Sequence, residues 1–252
     1  MIYGIHIGLN KVDPSAYSGW TGTLKGAVND AHDMFNICNA DHSAILIDEK
    51  ATVQSLIDKA VVFSKMVTKD DLMYITYSGH GGQIADTNND EADGLDETWC
   101  LYDGQLPDDY IRQIIDLFKC PVIVVSDSCH SGTISKVLFG FTEDHGRGVI
   151  KELPEAVKES KSAVIQQPKI QGPFFKTNVL TLSGCQDFEY SWDDGDNGAF
   201  TKAIKKEVER SSSQSYVHLI VNLRSRLAGE QTPKLTFRNG ASIIHRKAFS
   251  RL

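Results

Sequence analysis

Short apolar runs recur along the chain, and several of them end abruptly in glycine or small polar residues. Ile2 to Leu9 alternates apolar residues with Gly4 and Gly8, which predicts a first strand running into a loop. Leu72 to Tyr77 (LMYITY) and Val122 to Val125 (VIVV) are continuously apolar and rich in β-branched or aromatic residues, the pattern of strands buried on both faces. Between the first two of these runs the period lengthens. Leu24, Ala27, Val28, Ala31, Met34 and Phe35 recur at helical spacing and predict a helix through Cys38. Val53, Leu56, Ile57, Ala60 and Val61 mark a second helix, Ala51 to Met66, after a short strand at Ala44 to Ile47. Strand, helix, strand, helix, strand is the order of a mostly parallel sheet with helices on its faces.

Beyond Gly79 the pattern loosens. GGQIADTNNDEADGLDETWC, residues 81–100, is glycine-rich and acidic and reads as a surface loop, with a short strand at Trp99 to Leu101. Ile111, Ile114, Ile115 and Phe118 predict a helix that Asp108 or Asp109 would cap. Phe141 to Thr177 mixes charges, glycine and proline, with a weak helical patch at Leu153 to Val164; it reads as a solvated linker or insertion, open to proteolysis. Regular structure resumes with a strand at Asn178 to Gly184, helices at Gly198 to Val208 and Tyr216 to Leu227, and a last strand at Pro233 to Phe237. The expected organisation is one domain over 1–252, with a larger part (1–140), the linker (141–177) and a smaller part (178–252).

Composition narrows the function. A chain of 252 residues suits one large α/β domain. A formal net charge of −7 gives no reason to expect nucleic acid as a partner. No window is long and apolar enough to span a membrane. MIYGIHIGLN has no basic region before its apolar run and no small-residue cleavage site, so a secretory signal is not expected. Cys38, Cys100, Cys120, Cys129 and Cys185 show neither metal-ligand nor disulfide spacing, which fits a reducing compartment and a cytoplasmic protein.

The chemistry lies where two buried strands end. Leu72 to Tyr77 opens into Ser78, Gly79, His80, Gly81 and Gly82; Val122 to Val125 opens into Ser126, Asp127, Ser128 and Cys129. Parallel strands ending side by side would bring His80 to Cys129, and α/β folds present reactive groups at that edge. A thiol is only slightly ionised at neutral pH, so a neighbouring imidazole favours the thiolate and can then protonate a leaving amine. Gly81 has no side chain to keep a substrate carbonyl away, and its N–H, with that of Cys129, would form an oxyanion hole. His130 should point the other way along an extended chain and is given no catalytic role. His80 precedes Cys129 by about fifty residues, the order expected of caspase-type enzymes.

Tyr77 to Gln83 (YSGHGGQ) and Asp127 to Thr133 (DSCHSGT) together resemble the catalytic signature of the metacaspases and their bacterial relatives, the orthocaspases. Leu24 to Ala31 is similar to that family's N-terminal pocket segment, Asp90 to Thr98 to its acidic loop, Ser183 to Phe200 to its small-subunit region, and Gln231 to Pro233 to its Gln-x-Pro. Trp99 to Asp103 looks closer to bacterial members. The resemblance leaves out only 141–177. It implies a caspase-like (caspase-hemoglobinase) fold, a mostly parallel central sheet with helices on both faces. It also implies a cysteine endopeptidase that cuts after basic residues, Arg or Lys, through a Cys129 thioester. By motif position the primary pocket falls on Asp30, Ser78 and Asp127. Carboxylates are what a desolvated guanidinium or ammonium needs. Where some members carry a cysteine three residues before the pocket aspartate, this chain has Ala27.

Further expectations follow from the resemblance. No cofactor is required, and calcium is a candidate activator through Asp96, Asp108 and Asp109, oxygen ligands of the right type. Lys136, where the family has a further acid, would repel the ion. Self-cleavage is expected in the linker after Arg147, Lys151, Lys158 or Lys161, with Lys151 and Arg147 preferred. Partners are peptide or protein substrates with a basic residue before the scissile bond, with neither nucleic acid nor membrane, and a monomer is favoured. Two alternatives remain, a catalytically idle caspase-fold scaffold and another thiol hydrolase.

Overall fold

The computed structural model describes residues 1–85, 94–128, 149–154, 157, 164–185, 192–239 and 241–250. Its centre is a six-stranded sheet. β1 (Ile2–Gly8), β2 (His42–Ile47), β3 (Leu72–Ser78), β7 (Val122–Asp127) and β9 (Val179–Ser183) run parallel, and β11 (Lys234–Arg238) closes one edge antiparallel to β9. The spatial order is β11-β9-β7-β3-β1-β2.

The continuously apolar strands are continuous because both faces are covered. Ile75, Val122 and Val124 join one core with Leu56 and Ile57 of α2 (Val53–Met66) and Ile114 of α3 (Asp108–Ile115). Their neighbours in sequence, Tyr74, Ile123 and Val125, join a second core on the opposite face. That core contains Met34 of α1 (Ala27–Cys38), Phe200 and Ile204 of α4 (Ala199–Arg210), and Leu219 and Leu223 of α5 (Tyr216–Arg226). The expected mostly parallel sheet with helices on both faces is the observed architecture.

Two smaller sheets depart from expectation. Residues 81–100 are not simply a surface loop: β4 (Gly81–Ala85) and β5 (Leu95–Leu101) pair antiparallel, and β6 (Gly104–Pro107) extends the sheet. Glycines and alternating acids hid these strands, yet Gly81, Gly82, Asp96 and Thr98 are buried. Residues 86–93 lie outside the described residues. Asp108 and Asp109 do not cap α3; Pro107 holds the cap position and both aspartates sit in the first turn, where negative charge favours the helix dipole. The other small sheet pairs β8 (Val149–Ile150) with β10 (Trp192–Asp193).

Candidate active site

Strands β3 and β7 end in register. Ser78 is paired with Asp127, and His80 and Cys129 each follow two residues later. Ser128, buried, shares a hydrogen bond with Ser126 at 3.0 Å, and its carbonyl accepts from Cys185 Sγ at 3.3 Å. Cys129, the next residue, lies outside the described residues, as do His130, Lys136, Arg147, Lys158 and Lys161.

His80 is buried against the edge of Trp20, with ring centroids 4.6 Å apart. Its Nε2 lies 3.2 Å from the Gly22 carbonyl. A carbonyl can only accept, so this contact puts the proton on Nε2 and leaves Nδ1 as the basic nitrogen. Nδ1 is buried and has no hydrogen-bond partner among the described residues. Burial pushes the imidazole pKa down to about 3; the Gly22 carbonyl opposes this, the Lys151 charge adds to it, and the Glu152 backbone opposes it. The ring is therefore neutral at physiological pH. The sequence did not single out Gly22 or Trp20, because nothing in their spacing ties them to His80.

Asp30, Ser78 and Asp127 come together, and the group at their centre is one the sequence placed in a solvated linker. Lys151 is fully buried. Its Nζ donates to Ser78 Oγ at 2.8 Å and to Asp30 Oδ2 at 3.1 Å, and lies 3.3 Å from Asp127 Oδ1. Ser78 Oγ in turn donates to Asp30 Oδ2 at 2.6 Å. Burial alone would lower the ammonium pKa, but the Asp127, Asp30 and Asp193 carboxylates more than reverse that, so Lys151 is held above its ordinary range. Two pocket carboxylates share one cation. Burial raises the Asp30 carboxyl, Lys151 lowers it and Asp127 raises it again, with the balance upward.

The floor of the pocket is the start of α4. The Gly198 N–H reaches both Asp30 oxygens at 3.0 Å, and the Thr201 N–H and hydroxyl both donate to Asp127 Oδ2, at 3.0 and 2.9 Å. Asn197 Nδ2 donates to Asp30 Oδ1 at 2.9 Å. A Cβ on Gly198 would overlap both the Asp127 carboxylate and the Lys151 ammonium. Gly198, Asn197 and Thr201 are pocket residues that sequence reasoning passed over; a glycine at a helix N-terminus is too common to signal this role.

The backbone around Lys151 is bound on both sides. Val149 and Ile150 pair antiparallel with Asp193 and Trp192. The Gly81 N–H donates to the Lys151 carbonyl at 3.0 Å. After it, the described parts of the segment dock on the body: Gln105 and Ile165 form a parallel bridge, and Val164 N–H donates to the Ala16 carbonyl at 2.8 Å. The segment is irregular, as expected, but around Lys151 it is not solvated.

Two of the three acids named as calcium ligands have a cation beside them. Asp108 and Asp109 sit at 3.3 and 3.4 Å from the Arg112 guanidinium, and among the described residues no cluster of three His, Cys, Asp or Glu could hold a metal ion.

The caspase-domain family model matches residues 12–242, and the chain belongs to that family, a class of cysteine-type endopeptidases. It is 29% identical to Metacaspase-1 of Candida glabrata, over 86% of this chain and 69% of that protein. To Metacaspase-1 of Saccharomyces cerevisiae strain YJM789 it is 28% identical, over 86% of this chain and 63% of that protein. It thus spans about two thirds of the length of these relatives. The crystal structure of protein GSU0716 from Geobacter sulfurreducens superimposes with a TM-score of 0.82 at 32% identity, covering 100% of this chain and 99% of that one. Among the described residues no helix is long and apolar enough to cross a membrane.

Proposed function

We propose that the chain is an endopeptidase that cuts after lysine or arginine, and that its first substrate is its own Lys151–Glu152 bond. One observation carries this reading: the Lys151 ammonium lies in the Asp30–Ser78–Asp127 pocket while its carbonyl accepts the Gly81 N–H at 3.0 Å. That is how a residue before a scissile bond would sit, with side chain in the primary pocket and carbonyl at an oxyanion donor.

The chemistry then runs as follows. The Cys129 thiol gives its proton to His80 Nδ1, and the sulfur attacks the Lys151 carbonyl carbon. Charge develops on the carbonyl oxygen, where the Gly81 N–H waits, joined by that of Cys129. The C–N bond breaks as His80 returns the proton to the Glu152 nitrogen, leaving a thioester at Lys151. Water, deprotonated by His80, attacks the thioester and releases the carboxylate and the free thiol. A neutral His80 is the form that can accept the first proton.

The test pairs a fluorogenic peptide panel, varied at the residue before the scissile bond and run with and without calcium, with intact mass of the purified chain. Lys and Arg peptides should be turned over, Asp peptides should not, and Cys129→Ala should abolish turnover, because a nucleophile and its base act as a unit. Preference for Asp, or substantial turnover by Cys129→Ala, would overturn the reading.

A further inference from the structure

The chain after the candidate scissile bond is held as specifically as the chain before it. Gly81 uses both its backbone groups: its N–H donates to the Lys151 carbonyl at 3.0 Å, and its carbonyl accepts the Leu153 N–H at 2.7 Å. Glu152, between them, forms a parallel bridge with Gly81. Residues 151–153 thus add a short strand to the open edge of β4 and must alternate in direction. Burial follows that alternation: Lys151 is fully buried, Glu152 is partly exposed, and Leu153 is 1% exposed.

Leu153 enters the core cluster that includes Trp99, Leu106 and Val157. Room for it comes from Gly82, where a Cβ would lie 3.3 Å from Leu153 Cδ2 and 2.6 Å from Gln105 Oε1. The polar groups beside it are turned to one another, Thr98 Oγ1 donating to Gln105 Oε1 at 2.8 Å. A small side chain would leave this space empty and a charged one would be buried without a counter-ion, both unfavourable.

We infer that this socket is a substrate subsite for the second residue after the scissile bond and that it takes a large aliphatic side chain, Leu153 being its first occupant. The inference rests on Lys151 being the residue before that bond. Once the bond is cut, Glu152 and Leu153 lose the covalent hold of Lys151, and the socket passes to incoming substrates. Selection is therefore expected on both sides of the cut, a basic residue before it and an aliphatic one two places after it.

Internally quenched hexapeptides built on Val149 to Pro154, with Leu, Met, Ala or Asp at the place of Leu153, test this on the full chain after it has completed self-cleavage. Leu and Met peptides should agree in kcat/KM within about threefold, since they have similar volume. Ala and Asp peptides should fall by about tenfold or more, equivalent to about 1.4 kcal/mol. A Lys-aminocoumarin substrate, which has no peptide after the scissile bond, is the control. Equal rates for all four peptides, with the control turned over, would overturn the subsite and leave the basic specificity standing. Failure to turn over the control while other residues are accepted before the bond would overturn the underlying reading and the subsite with it.

Discussion

Lys151 shows how much a single side chain can be asked to do. Its charge is removed from water, which is costly unless partners compensate; here two carboxylates and a hydroxyl surround it. Arginine can satisfy the same carboxylates and keeps its charge. Lys151→Arg should therefore still self-cleave at this position, whereas Lys151→Ala should leave that bond intact, as intact mass after prolonged incubation will show. Equal cleavage after residue 151 in both would exclude pocket recognition as the cause. His80 makes a separate, pH-dependent contribution. Its pKa is near 3 in the folded chain, and His6, buried beside Thr76, is near 4, both lowered by burial. Unfolded histidine titrates near 6.5. Between these values the unfolded chain binds protons that the folded chain does not. The stability from both residues is complete above about pH 6.5 and is lost as pH falls towards 3–4, by about 1.4 kcal/mol per unit for each histidine. Thermal unfolding of the uncut Cys129→Ala chain should shift to lower temperature from pH 7 to pH 5, and His6→Gln should flatten the profile. A flat profile for the Cys129→Ala chain would contradict the buried, neutral state of these rings.

Among the elements, α4 ties the fold to the proposed specificity. The first N–H groups of a helix have no partner within it and favour negative charge. Here Gly198 and Thr201 turn those groups onto Asp30 and Asp127, so the helix holds in place the carboxylates that hold the cation. Gly198 has φ −65° and ψ 143°, a conformation alanine adopts without strain. Gly198→Ala should therefore leave the backbone unstrained, but its methyl must push aside the Asp127 carboxylate and whatever cation the pocket holds, reducing kcat/KM for Lys and Arg peptides by about a hundredfold or more, given what loss of a buried charge contact costs. Unchanged turnover would remove Gly198 from the pocket floor. The strands of the large sheet and all five named helices could be read from period and run length, because β3 and β7 are covered on both faces and the helices bury one stripe each. Of β4 and β5 only the end, Trp99 to Leu101, could be read, since the other buried positions are Gly81, Gly82, Asp96 and Thr98 rather than apolar residues. β8 and β10 have two residues each, too few to carry a period. The two strand ends pointed to His80 because the signal is local to each motif, and basic residues in the linker pointed to Lys151 as a cleavage site; that Lys151 already sits buried between the carboxylates could not be read, because it is 121 positions from Asp30 and meets it only in the folded chain.

At the scale of the whole molecule, the position of Lys151 decides what self-cleavage would do. A cut after it separates β1 to β8 from β9 to β11 in sequence, but not in space. β7 and β9 are adjacent parallel strands, paired from Val122 with Val179 to Ser126 with Ser183, and β11 pairs with β9 outside them. The second core is shared in the same way: Met34, Tyr74 and Ile123 come from before the cut, Phe200, Leu219 and Leu223 from after it. The pocket is also divided, with Asp30, Ser78 and Asp127 on one fragment and Gly198 and Thr201 on the other. A backbone break changes none of these contacts, while separating the fragments would expose one face of the central sheet and a core of many buried side chains, each worth about 1.5–3 kcal/mol. The fragments should therefore co-elute at the size of the intact chain in gel filtration, resolve as two bands only in denaturant, and retain peptidase activity together. Separation in native buffer, or loss of activity on cleavage, would mean that the strand and core contacts across the cut do not hold the two parts as one catalytic unit.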